Sequence, residues 1–525
     1  MPAIPEGKVP SVPPRPALID PVDVAELAAS VGAELIVDAN RRPVRVTGAT
    51  LRAQHVRAGD LFAALPGANA HGADFVGDAI VAGAAAVLTD RIGAQRPELA
   101  GGALPVLVHE DPRGVLGRLA ARIYGFPSRK LAMLGITGTS GKTTTSYLVE
   151  AGLRAAGVIT GLIGTVETRI AGNRLASAFT TPEAPDLQAL LALMVEQGVT
   201  HVPMEVSSHA LALGRVAGVE FAIGAFTNLS QDHLDFHPTL EDYFAAKAKL
   251  FDGRSRIEVV CVDGEWGRRL VTADTITVST TEVPATWTAE DASVDADGGQ
   301  SFTAVGPGGL RIPLKVRLPG TFNVANALLA TAILRAAGID ATSIALGISD
   351  VDVPGRMERV DLGQRFTAVV DYSHKPAAVA VALDAVRGQL DRAGGHGRLI
   401  TVLGCGGDRD AGKRPLMGEA AARRSELLVV TDDNPRREEP AEIRAAMLAG
   451  ALAVPAADRG EVVEVDGRRA AIRRAVAAAR PGDVVVVAGK GHETGQEIAG
   501  VVHPFSDRDE LAEAIHDLAL HEVNR

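Results

Sequence analysis

The chain has 525 residues, of which 46% are hydrophobic and 22% charged, and a formal net charge of −11. That length exceeds one ordinary core and calls for two to four domains. The acidic balance excludes phosphate-backbone binding to nucleic acid as the main activity, and no apolar run reaches the ~18 residues of a membrane span.

The opening stretch MPAIPEGKVPSVPPRPALIDP is rich in proline and lacks an apolar h-region, so residues 1–19 read as a loose arm and not a secretory signal. Cys261 and Cys405 are too far apart for a metal-type pair, which fits a reducing cytoplasm. Residues 20–128 read as a small α/β domain. Ile80–Leu88 is a helix end running into a strand, Val106–Val108 a short strand, and GDLF a strand that enters the loop Gly67–Gly72. Small residues in that loop suit either a ligand at the backbone or a plain surface turn.

The central domain, 129–355, opens on the apolar run Leu131–Leu134, the turn GITGTSGKTTT (Gly135–Thr145) and apolar residues at helical spacing from Tyr147 to Leu153. Strand, glycine turn, Lys-Thr-Thr and helix form the layout of a phosphate-binding loop. Gly138, Thr139, Ser140 and Gly141 would wrap phosphate oxygens with backbone N–H groups. Lys142 adds a positive charge, and Thr143 or Thr144 offers Mg²⁺ a hydroxyl. The general pattern wants glycine at 136, where Ile136 stands. His201–Val206, Phe221–Phe226 and Glu258–Val262 are further strand-like runs of a parallel sheet. Residues 284–318, with DADGGQ and GPGG turns, suggest a small antiparallel insert, and a helix resumes at Asn323–Leu329.

In the last domain, 356–525, four apolar strands each end in a polar loop: FTAVVD in YSHKP, RLITVLG in CGGDRDAGKRP, LLVVT in DDNPRRE and DVVVVAG in KGHETGQE. Ligands of open parallel sheets bind beyond the carboxyl ends of the strands, so these loops form one site. A dinucleotide fingerprint fails, because Arg409 replaces its third glycine.

Three segments of the central domain carry candidate chemistry. Glu205, at the end of the run in MEVSSH, is a Mg²⁺ ligand or half of a structural ion pair. His233 and His237 in TNLSQDHLDFHPT are four apart and could share a helix face. Leu234 after the first histidine excludes a zincin. Lys247 and Lys249 on YFAAKAKLF, taken alone, are solvated charges.

The motifs GTSGKTT, MEVSSH, TNLSQDHLDFH, YFAAKAKLF, NVANALLA, VPGRME, DYSHKP and GCGGDRDAGKRP resemble, in order and spacing from about residue 45 onward, those of the Mur ligases. That family joins amino acids to the UDP-MurNAc peptide precursor of bacterial cell walls. DNPR (Asp433–Arg436) and KGHE (Lys490–Glu493) resemble the MurE type, which adds the third residue, and within it the members that take meso-diaminopimelate. The resemblance implies an α/β protein of three domains: a small N-terminal domain, a central parallel-sheet P-loop ATPase domain with an antiparallel insert, and a Rossmann-like C-terminal domain. It also implies a cytoplasmic ATP- and Mg²⁺-dependent ligase that forms an acyl phosphate on UDP-MurNAc-L-Ala-D-Glu and transfers it to the amine. The protein would act as a monomer with no nucleic acid partner. The same resemblance leaves lysine as acceptor, or a folylpolyglutamate-synthetase-like reaction, as alternatives; a nucleotide-binding switch would have no use for the four third-domain loops.

Carried over residue by residue, Lys142, Glu205, His233 and Lys247 are implied catalytic residues. Thr144, Glu205, His233 and Lys247, the last as a CO₂-derived carbamate, are implied at the metal. Asn323, Asn326, Arg356 and Asp371 join Gly138–Thr144 around ATP, with Arg356 and Asp371 reaching it by domain closure. Leu51, Ala68, Asn69, Ala70, Thr180, Thr181, Ser207 and Arg215 fall to the UDP-MurNAc dipeptide. This chain departs from the family's usual pattern at Leu213 and at Arg52-Ala53-Gln54. Arg409, Asp433, Asn434, Pro435, Arg436, Gly489 and Glu493 fall to diaminopimelate. Arg436 would clamp the carboxylate that lysine lacks.

Overall fold

The computed structural model describes residues 14–523 except 38–41, 68–69, 101, 176–179, 235, 296–297, 393 and 395. The architecture is three-domain α/β, and the chain gathers into two compact units. The first takes residues up to 288, 305–310 and 326–347; the second takes 289–304, 311–325 and 348 onward.

The first unit holds an N-terminal sheet, the parallel core of a central sheet and the short pair Val22–Asp23 with Arg45–Val46. In the N-terminal one, Gly48–Thr50, Asp60–Ala63, Ala86–Thr89 and Val106–Val108 run parallel side by side, and Glu34–Ile36 closes the far edge antiparallel. Leu27, Leu61, Leu88, Leu107, Leu116 and Leu119 fill one face of it. The end of the proline-rich arm is docked rather than loose. The Arg15 guanidinium is buried on Asp60 at 2.5 Å, and the Ala17 N–H points at the Glu196 carboxylate. A buried carboxylate needs such a partner, which a reading of proline content alone does not supply.

The central sheet has Ala132–Thr137 in its middle, parallel to His201–Glu205 on one side and to Phe221–Phe226 on the other. Beyond them lie Gly161–Ile163, and on the opposite side Ser255–Cys261 and Ile276–Ser279. The Ala132–Thr137 and His201–Glu205 strands are buried and largely apolar, as sheets covered on both faces require. Because these strands are parallel, their carboxyl ends, Gly164, Glu205, Gly138 and Thr227, share one edge. The stretch 284–318 is filled by the strands Trp287–Val294, Gln300–Val305 and Arg311–Val316, which are neighbours in sequence order.

In the second unit all four expected strands form. Thr367–Asp371, Val484–Ala488, Leu399–Cys405 and Leu427–Asp432 lie side by side and parallel, followed by Glu461–Glu464. Their four loops therefore leave from one edge. Valine-rich strands bury both faces here, one against the helix Pro376–Arg392 and its neighbours, the other against Arg468–Ala478 and Asp507–Val523.

Candidate active site

The phosphate loop follows from its glycines. Gly138 has φ of +146° and Gly141 +87°, which L side chains rarely adopt; a Cβ on Gly138 would collide with the Thr227 hydroxyl, and one on Gly141 with the Asn326 amide. The neighbouring strand end braces the turn. Asn228 accepts from the Ser140 N–H at 3.0 Å, and the Thr139 hydroxyl meets the Ser230 carbonyl and the Tyr243 hydroxyl, both at 3.2 Å. The Lys142 ammonium folds back onto the Gly138 and Thr139 carbonyls at 2.9 and 3.0 Å. The Asn326 amide thus lies against the loop at Gly141.

Glu205 is buried, and its carboxylate accepts three hydrogen bonds. Thr143 donates its hydroxyl to Oε1 at 3.0 Å, Thr165 its N–H to Oε1 at 2.8 Å, and the Thr165 hydroxyl reaches Oε2 at 3.0 Å. The hydroxyl that meets Glu205 is therefore that of Thr143 and not of Thr144. A carboxylate and a hydroxyl beside a phosphate loop are hard oxygen donors of the kind Mg²⁺ takes, so the residues present fit that ion. Among the described residues no group of three or more His, Cys, Asp or Glu side chains could hold a metal.

Lys247 is buried on the helix Leu240–Ala248, where a solvated charge was the plain reading. Its Nζ lies 2.8 Å from the Gly138 carbonyl and 4.4 Å from the centre of the Tyr243 ring. Burial raises the Tyr243 hydroxyl well above the usual phenol range. His233 and His237 do not share a helix. They sit in a turn closed by the His237 N–H on the His233 carbonyl, and His233 takes φ of +52°. The two rings converge on His209, at 4.9 and 5.7 Å between centroids, and His233 stands 6.0 Å from Tyr243.

The dipeptide candidates adjoin Glu205. The Thr181 hydroxyl donates to the Glu205 carbonyl at 2.9 Å and accepts from the Ser207 N–H at 3.2 Å, and Thr180 meets the Thr165 hydroxyl at 3.0 Å. Arg215 reaches the Thr181 carbonyl at 3.3 Å and pairs with Glu183 at 2.8 Å. In the N-terminal sheet, Leu51 and the exposed Ala70 follow the ends of adjacent parallel strands. Ala68 and Asn69 lie outside the described residues.

Asn323, Arg356 and Asp371 belong to the second unit. The Asn323 amide caps the Pro319 carbonyl at 2.8 Å. Asp371 accepts the N–H groups of Met357 and Ser373 at 2.9 and 2.8 Å, fixing the turn that carries Arg356, whose guanidinium stacks on Tyr372 at 4.1 Å.

The amine candidates cluster on the edge of the second unit's sheet. Arg436 is held at φ of +54° by two backbone bonds to the hairpin Gly495–Pro504: its N–H donates to Glu497 at 2.9 Å, and its carbonyl accepts from Ala499 at 2.6 Å. Its guanidinium donates to the Gly407 carbonyl at 2.6 Å and stands 3.5 Å from Glu497. The Pro435 carbonyl crowds Gly407, and Arg409 is exposed beside Gly406. Asn434 donates to Glu493 at 2.8 Å. Gly489, at φ of +119°, leaves open the space next to the Asp433 carboxylate that a Cβ would fill at 2.6 Å. Thr165, Asn228, His209, Tyr243 and Lys490 are contributors that motif reading missed. The first two could be found as residues that follow the ends of strands flanking the phosphate loop.

Family models match most of the chain. Residues 45–124 match the Mur ligase family, catalytic domain; 136–334 the Mur ligase middle domain; and 355–491 the Mur ligase, glutamate ligase domain. A Streptomyces coelicolor protein named UDP-N-acetylmuramoyl-L-alanyl-D-glutamate–2,6-diaminopimelate ligase is 55% identical, over 96% of this chain and 98% of its own length. A Corynebacterium efficiens protein of the same name is 51% identical over 94% of each. A solved structure of a ligase so named superposes with a TM-score of 0.66 at 30% identity, covering 95% of this chain and all of that one.

Proposed function

The chain belongs to the Mur ligase family and is an ATP-dependent ligase of peptidoglycan precursor synthesis; we propose that it joins meso-2,6-diaminopimelate to the D-glutamate γ-carboxylate of UDP-MurNAc-L-Ala-D-Glu. The γ-carboxylate oxygen attacks the γ-phosphorus of ATP, the bond to ADP breaks, and an acyl phosphate forms. The amine nitrogen then adds to the acyl carbon, phosphate leaves, and a proton is lost to give the amide.

Transfer between two anions needs positive charge and fixed geometry above all. Lys142 and the N–H groups of 138–141 bind the phosphates, and Thr143 with Glu205 would hold Mg²⁺, which when bound neutralises charge on the phosphoryl oxygens. Thr180, Thr181, Ser207 and Arg215 orient the dipeptide; the bonds of Thr181 to Glu205 and of Thr180 to Thr165, with Ser207 and Arg215 both held on Thr181, support that assignment. Lys247 is read as a carbamate. Its amine adds to CO₂ and loses a proton; the carbamate N–H can still donate to the Gly138 carbonyl, and the carboxylate beyond it would offer a metal the oxygens that an ammonium lacks. His233 lies 6.0 Å from the same Tyr243 ring. Leu51, Ala68, Asn69 and Ala70 are assigned to the uridine end. The division 20–128, 129–355 and 356–525 is retained as a working scheme, and the protein is read as a cytoplasmic monomer. Among the described residues no helix is long and apolar enough to cross a membrane.

The amine's identity is carried by Asp433 and Arg436 together. Asp433 is only 7% exposed, and its carboxylate accepts no hydrogen bond among the described residues, which suits a ligand ammonium. Arg436 stands on the adjoining turn to take a carboxylate, with Arg409 beside it. Turnover with UDP-MurNAc-L-Ala-D-Glu and each amine in turn tests the reading: diaminopimelate should outrun lysine by orders of magnitude, since a site built for a polar group rejects an analogue that leaves it unfilled. Faster turnover with lysine would overturn it. Arg436→Ala should raise KM for diaminopimelate by roughly thirty-fold, the equivalent of a lost charged hydrogen bond of about 2 kcal/mol, with KM for ATP unchanged.

A further inference from the structure

Lys490 is fully buried, and its ammonium is committed to two of the side chains assigned to the amine. It donates to Asn434 Oδ1 at 3.0 Å and to Glu493 Oε2 at 3.1 Å. Asn434 is used up as an acceptor, because Oδ1 also takes the Glu497 N–H at 3.0 Å, while its Nδ2 donates to the same Glu493 oxygen at 2.8 Å. The second buried cation, Arg468, is neutralised by Asp507 at 2.7 Å and caps the Asp432 and Ala488 carbonyls at the two strand ends, at 3.1 and 2.8 Å. That leaves one ammonium, Lys490, against two carboxylates, Asp433 and Glu493. Asp433 is buried and the Glu493 side chain is 33% exposed, so the cluster turns carboxylate oxygen toward its open side, where a ligand cation can meet it.

Resting on the reading of this edge as the amine site, we propose that Lys490 is a positioning residue for substrate recognition. Its built-in ammonium locks the Asn434 amide and one oxygen of Glu493, leaving Asp433 and Glu493 Oε1 as the acceptors that receive the substrate's ammonium group. Asn434, assigned to diaminopimelate from the resemblance, acts by holding Glu493 and not by accepting from the ligand. Recognition is divided accordingly: Lys490 organises the ammonium end, which diaminopimelate and lysine share, whereas Arg436 reads the carboxylate that distinguishes them.

The test is Lys490→Met in the full-length enzyme, which keeps the stem and removes the charge. KM for diaminopimelate should rise about tenfold or more, as for loss of a charge-assisted contact, with KM for ATP and for the nucleotide dipeptide within twofold. The ratio of kcat/KM for diaminopimelate over lysine should hold, while Arg436→Ala lowers it. Unchanged KM for the amine, or an equal rise for all three substrates, would overturn the role of Lys490. A wild-type enzyme that does not use diaminopimelate would instead overturn the function it rests on. If Lys490→Met does not fold, Lys490→Arg carries the same test. It keeps the buried charge, but its planar head does not match both acceptors, so an amine-specific rise is expected and its absence is fatal to the idea.

Discussion

Glu205 takes three hydrogen bonds from two threonines, the hydroxyls of Thr143 and Thr165 and the Thr165 backbone N–H, so uncharged donors set its orientation. Thr143→Val should raise the Mg²⁺ concentration needed for half-maximal turnover by about tenfold or more, and Thr144→Val should move it far less; the reverse order would restore Thr144 to the metal. Loss of turnover is expected in Lys247→Ala, and high bicarbonate should not restore it, because no amine remains to carbamylate. At this scale the sequence was only partly legible. Gly138, Gly141, Lys142 and Glu205 were read from the strand–turn–helix pattern, because backbone geometry and charge limit the residue types there. The choice between Thr143 and Thr144, the burial of Lys247 and the convergence of His233 and His237 on His209 were not. Each depends on which way a side chain leaves its backbone, and spacing alone does not encode that.

The phosphate-loop helix, Lys142–Ala155, is tied to the segment 160–174 by a buried polar network. The Tyr147 hydroxyl donates to Glu167 at 2.6 Å, and Arg169 bridges Glu150 at 2.5 Å and Glu167 at 2.6 Å. Burial pushes the Glu150 carboxyl up even with Arg169 beside it, and burial together with Glu167 lifts the Tyr147 hydroxyl far above the phenol range. Glu167 also closes the turn that presents Thr165, through its carbonyl on the Gly164 N–H at 3.1 Å. Removing the cation would strand the buried Glu150 carboxylate and leave Glu167 to Arg174 and the Tyr147 hydroxyl. Arg169→Met should therefore cost about 3–5 kcal/mol of stability and raise the Mg²⁺ requirement through Thr165, measured by thermal unfolding and by metal titration of turnover. A stable variant with an unchanged metal requirement would show that the network is uncoupled from the site. None of these charges stood out in the sequence.

Across the whole molecule, the strand-and-loop order of the third domain was the most legible part, since four valine-rich runs ending in polar loops leave few arrangements other than a parallel sheet with one functional edge. Less legible was the way the chain divides into compact units, because residues 289–304 and 311–325 cluster with the later sequence rather than with the strands that flank them. Two units with separate cores should unfold in more than one calorimetric step. Arg169→Met should lower the step that belongs to the first unit, and Asp483→Asn the other. Asp483 is buried, which opposes its ionisation, yet the Arg398 side chain and the N–H groups of Arg398 and Arg480 hold it below its ordinary value. A carboxylate whose pKa is depressed on folding adds stability that is present above its unfolded value, about 3.9, and is lost as pH falls through the lower folded value. The gap between wild type and Asp483→Asn should then be on the order of 1–3 kcal/mol at neutral pH and should narrow below about pH 4. A single step moved equally by both substitutions, or a gap that widens in acid, would refute this account of how the two cores are held.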